Sequence, residues 1–133
     1  MNTGYLYDRS YYNYYLKWHA GFDMGATPTT QVKTVVGGTT YLIQNQSGNY
    51  FMTVKGDDGN LWIYGHLGSL AVPNGVRIDA GRVVGTIGSQ NHLHLEVQPG
   101  HTYKGTQGAH SDQNFVRNST ISPLQAFWRL KNR

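Results

Sequence analysis

The segment between residues 49 and 67 restricts the fold most. Two runs rich in β-forming side chains, residues 50–55 and 60–67, flank Gly56-Asp57-Asp58-Gly59, four residues suited to a tight turn. The pattern predicts an antiparallel hairpin. Further strands are expected at 34–36, 40–44, 82–87 and 92–97, separated by Gly37-Gly38, Ser47-Gly48-Asn49 and Gly88-Ser89-Gln90-Asn91. Helical signal is confined to the C-terminus. There Ser122-Pro123 can cap and start a short helix through Leu130, with Leu124, Phe127, Trp128 and Leu130 as its apolar face. The expected fold class is therefore mostly β, a single antiparallel sheet domain with one short helix.

A chain of 133 residues suits one domain, here taken as 1–133. No apolar stretch approaches the roughly 18 residues needed to span a bilayer. Residues 1–20 lack the apolar run of a secretory signal and are dense in tyrosine, which reads as a loop or edge segment laid over the sheet. Cysteine is absent, so any metal site must draw on six histidines and seven acids. The net charge of +4 and pI near 9.4 favour encounter with anionic polymers. No cluster of lysine and arginine supports a nucleic-acid partner.

The histidines carry the chemical signal. His92 and His94 alternate in an expected strand and so share a face, with Leu93 and Leu95 on the other. By the same parity Trp62, Tyr64 and His66 share one face, and Leu61 and Ile63 the opposite one. Tyr64 is then either a groove residue or a structural one. His19 precedes Asp23 by four residues, and a His-x-x-x-Asp segment with one histidine of a His-x-His strand supplies a catalytic zinc set of three ligands plus water. Spacing alone leaves open which histidine of the pair binds, and whether four groups close a structural site.

His19-Ala20-Gly21-Phe22-Asp23 and Asn91-His92-Leu93-His94-Leu95-Glu96-Val97 resemble the two metal motifs of the LytM/lysostaphin peptidases, the M23 family. Gly48-Asn49-Tyr50, Gly59 and Tyr64-Gly65-His66-Leu67 resemble that family's central hairpin. Gly75-Val76-Arg77-Ile78, Ala80 to Gly85 and Gly88 resemble its glycine-rich return. The ordered matches cover about residues 18–98.

The resemblance implies an open groove in the sheet and one zinc ion held by His19, Asp23 and His94. It implies water in the fourth position as nucleophile, and His66 and His92 as the catalytic histidines. His92 is the preferred general base, because imidazole exchanges protons near neutral pH. Glu96, on the face of His94, is either a carboxylate orienting that ligand or an ordinary strand acid. The implied activity is zinc-dependent hydrolysis of stem or cross-bridge peptides in peptidoglycan by an extracytoplasmic monomer. The alternative is a non-catalytic LytM-type module that binds the cell wall or regulates a partner. The sequence departs from the family before His92, where a longer Gly/Ser-rich loop is usual and only Ser89-Gln90-Asn91 follows Gly88.

Overall fold

The structure, a computed structural model, describes residues 18–19, 21–46, 49–103, 109–110 and 112–131. The tyrosine-dense segment 1–17 lies outside them. Asn49–Gly56 (β5) and Asn60–Leu70 (β6) form the expected hairpin. Its turn closes with the Gly59 N–H donating to the Gly56 carbonyl at 3.0 Å, and Gly59 takes a φ of +87° that a side chain would resist. The Asp58 carboxylate fastens the same turn by accepting from the Asn60 N–H and the Trp62 indole N–H.

Around this hairpin the remaining strands pair antiparallel. They are Phe22–Gly25 (β2), Gln31–Lys33 (β3), Gly38–Gln46 (β4), Arg77–Ile78 (β7), Val83–Ile87 (β8) and His92–Pro99 (β9). The eight-stranded sheet runs β2-β9-β6-β5-β4-β7, with β8 joining β6 to β3. Trp18–His19 (β1) and Ala109–His110 (β10) make a separate two-stranded ladder.

The centre of the sheet is buried on both faces, which is why β5 and β6 read as nearly continuous apolar runs rather than as clean alternation. Met52, Val54, Trp62, Tyr64, Leu67, Leu95 and Val97 form the larger core on one face. Phe51, Leu61 and Ile63 pack with Tyr103 on the other.

Among the described residues two helices follow the sheet, where the sequence suggested one. The unforeseen helix, Gln113–Ser119 (α1), is capped by Asp112, whose carboxylate accepts from the Asn114 and Phe115 N–H groups. The expected helix is present as Pro123–Lys131 (α2), but its apolar side differs. Ala126 is buried and Phe127 packs on Trp62 with ring centroids 5.6 Å apart, while Leu124 and Trp128 are 65% and 64% exposed. The stripe from Pro123 through Ala126 and Phe127 to Leu130 faces the sheet, so residues 124 and 128 turn away.

The strand expected at 34–36 falls instead on Gln31–Lys33. The reason is local competition for the backbone. The Val35 N–H donates to the Tyr64 hydroxyl at 2.9 Å, and the Thr34 hydroxyl donates to the Val36 carbonyl at 2.7 Å, so these groups leave the ladder. Tyr64 is thereby a core residue, 1% exposed, and burial pushes its phenol up to about 12 against the opposing hydrogen bonds. The Tyr64→Phe variant should lose about 1–3 kcal/mol of stability in urea unfolding, because the half-buried Val35 N–H loses its acceptor.

Candidate active site

The first half of β6 pairs with β9, from Asn60↔Pro99 to Gly65↔His94. Its second half pairs with β8, beginning at Leu67↔Ile87. His66 sits at the junction, where the two partners diverge. On the hairpin side one extra β6 residue is inserted, since Met52 pairs with Tyr64 but Tyr50 pairs with Leu67. Gly65 and His66 together face Phe51, which is a β-bulge with His66 in the left-handed region at φ 65°.

The bulge breaks the strand's parity. Tyr64 and Leu67 both enter the large core, while His66 emerges on the opposite face, near Phe51 and His94. The expectation that His66 and Tyr64 share a face is thus corrected. A strict two-residue period cannot foresee an inserted residue.

The turn between β8 and β9 ties the junction together. The Gly88 N–H donates to the His66 carbonyl at 3.1 Å, and the Asn91 N–H donates to Gly88 O at 3.2 Å. The His92 ring lies against the Gln90 carbonyl, with Nδ1 at 2.8 Å. A carbonyl only accepts, so His92 Nδ1 carries the proton and Nε2 the lone pair. The His66 and His92 rings meet edge to face at 4.5 Å between centroids. His66 Nδ1 is 3.2 Å from Asn49 Oδ1. The short segment before His92 is therefore a tight turn that holds the main chain of one histidine and the ring of the other.

Asp23 arrives on β2, directly paired with His94 on β9. Its Oδ1 lies 3.0 Å from His94 Nδ1, and its Oδ2 lies 3.7 Å from His92 Nε2. The other nitrogen of His94, Nε2, is 3.0 Å from Glu96 Oε1. Glu96 and His94 are both buried, and so is Gln98, whose amide donates to Glu96 Oε2 at 2.9 Å. Burial pulls the His94 imidazole down, but hydrogen bonds and charge from Asp23 and Glu96 outweigh it and push it up to about 9. The cradle around His94 is built for positive charge.

Of the residues singled out in the sequence, Asp23, His66, His92 and His94 are brought together. Among the described residues no group of three metal-capable side chains is arranged so as to hold one ion. The side chain of His19 lies outside the described residues. Its backbone pairs with Ala109, and it stands two positions before Gly21, where the Leu95 backbone and the His94 ring close the space. Phe51, the Gln90 carbonyl and Gln98 are neighbours that motif reading did not single out, and Asn49 was read only as part of the hairpin resemblance. Only Gln98 had a legible signal, the parity it shares with His94 and Glu96.

The model of peptidase family M23 matches residues 17–109, a span that includes all four of the converging side chains. The chain belongs to peptidase family M23. Solved structures agree on the fold. This M23 domain is 25% identical to a mutant catalytic domain of the prophage-encoded M23 protein EnpA from Enterococcus faecalis. The match covers 73% of this chain and 77% of that one, with a TM-score of 0.57. It is 24% identical to the catalytic domain of the antimicrobial peptidase lysostaphin from Staphylococcus simulans, over 75% of this chain and 80% of that one, TM-score 0.59. A zinc-containing peptidase from Vibrio cholerae matches at 17% identity, over 78% of this chain and 29% of that one, TM-score 0.57. A comparison with curated proteins found no match. The mostly antiparallel β architecture with short C-terminal helices is that of the lysostaphin-type domains.

Gly65 is a tight point of the M23 site. A Cβ there would lie 2.5 Å from the Phe51 ring, which itself packs against His66 and His94. Gly65→Ala should therefore destabilise the fold by about 1–3 kcal/mol in denaturant unfolding and shift the ring NMR signals of both histidines.

Proposed function

We propose that this M23 domain is a zinc-dependent endopeptidase that hydrolyses peptide bonds in the stem or cross-bridge peptides of peptidoglycan. His19, Asp23 and His94 would hold the ion, and His66 and His92 would serve the reaction. The observation that carries this reading is the convergence of Asp23, His66, His92 and His94 from three strands at the branch of the sheet.

The donor set fits zinc. Two ligands of a tetrahedral ion bound at about 2.0–2.2 Å lie about 3.3 Å apart, and Asp23 Oδ1 and His94 Nδ1 are separated by 3.0 Å. Glu96 accepts at Nε2, which leaves Nδ1 as the nitrogen that presents a lone pair toward Asp23 when the ring is neutral. Family membership and the fold of lysostaphin support a peptidase acting on cell-wall peptides outside the cytoplasm. The basic net charge suits approach to an anionic wall.

Zinc bound there would polarise the scissile carbonyl and activate water. His92 is the better general base of the two histidines. Its Nδ1–H is committed to Gln90 O, so Nε2 is the nitrogen that takes a proton from water and hands it to the leaving amine. Asp23 Oδ2, 3.7 Å from that nitrogen, stabilises the imidazolium formed on the way. His66 faces the same space, and Asn49 sets its ring. An amide accepts through oxygen or donates through nitrogen, so His66 can act at Nε2 as acceptor or as donor to the developing oxyanion.

Incubation with purified sacculi of several cross-link types should release new free amino groups. Release should stop with chelator and return with zinc, whereas no release from any wall by the zinc-loaded protein would favour a binding module. Asp23→Ala should weaken zinc binding by more than about 100-fold and abolish activity with it. His92→Ala should lower turnover by about 100- to 10,000-fold with zinc still bound, and metal analysis showing loss of zinc from that variant would reverse the roles of His92 and His94.

A further inference from the structure

We propose that Gln98 is a positioning residue that aims His94 through Glu96; the inference rests on the zinc-peptidase reading above. His94, Glu96 and Gln98 alternate along β9 and so share the face that bears the site. All three are at most 1% exposed. They form a line of hydrogen bonds that runs from the interior to the site. The Gln98 amide nitrogen donates to Glu96 Oε2 at 2.9 Å, Glu96 Oε1 lies 3.0 Å from His94 Nε2, and His94 Nδ1 lies 3.0 Å from Asp23 Oδ1.

The chemistry of each link is directional. An amide N–H only donates, which assigns Oε2 of Glu96 as its acceptor and sets the plane of the carboxylate. A carboxylate held in that plane accepts at Nε2 of His94, so in the neutral ring the lone pair is on Nδ1, the nitrogen beside Asp23. The cross-strand neighbours cannot do this work. On β6, Glu96 pairs with Ile63 and Gln98 with Leu61, both fully buried and apolar. Along its own strand Gln98 supplies the donor that those neighbours lack. A buried glutamine loses its water and much rotamer freedom, and a leucine there would pack on Leu61 without that loss.

The test compares zinc affinity, by competition with a fluorescent chelator at pH 7, and the visible spectrum of the cobalt(II)-loaded protein. It uses the full chain, its Gln98→Met and Gln98→Leu variants, and Tyr64→Phe as a control that loses stability on the other face of the sheet. Methionine keeps the unbranched shape without the donor, and leucine removes the donor while filling the apolar space beside Leu61. Both Gln98 variants should bind zinc about 10- to 100-fold more weakly, with an altered cobalt spectrum, while Tyr64→Phe stays within about twofold of the parent. Should Gln98→Met fail to fold, Gln98→Leu decides. Parent-like zinc affinity and cobalt spectrum in a folded Gln98 variant would overturn this inference alone. Absence of zinc binding by the parent protein would overturn the zinc reading, and the inference with it.

Discussion

The long strand β6 cannot satisfy one partner along its whole length, and the site follows from that. Up to Gly65 it bonds to β9, and from Leu67 it bonds to β8. Where the ladders part, a residue is left between them. The inserted residue on β6 lets the backbone bend there, and His66 is turned out of the core side and onto the face that holds His94. Because β8 and β9 are consecutive, the four-residue turn joining them must cross the same junction. Its amides and carbonyls bond to His66 and His92 without further structure. One backbone mismatch thus positions two of the rings at the candidate site.

Charge organises the other half of the site. Pairing of β2 with β9 sets Asp23 against His94, and strand alternation sets Glu96 and Gln98 behind it. Buried carboxylates are tolerated only where positive charge or donors meet them, and here an imidazole stands between two of them. The resulting preference for a cation at this point is a property of the cradle as a whole.

Much of this was legible in the residues. The hairpin turn, the strand bearing His92 and His94, and the short helix after Ser122 all lie where turn chemistry and alternation place them. The alternation that united His92 and His94 holds because β9 runs without a bulge through both. The same rule failed at His66, and it failed at 34–36, where a tyrosine 29 residues further on takes the backbone donor of Val35. Both failures come from partners distant in sequence. Helix α1 was missed because its start depends on a single capping aspartate rather than on an apolar period.

By itself the sequence determined which groups are available: imidazoles and carboxylates in place of thiols, two histidines on one strand face, and an ordered set of motifs that belongs to the M23 family. These are matters of covalent order and local periodicity, which a strand preserves. Only the tertiary structure decided which ring nitrogen each histidine presents and which face His66 occupies. Those depend on hydrogen bonds to Gln90, Glu96 and Asn49 and on a register shift between β5 and β6, contacts that no local pattern encodes.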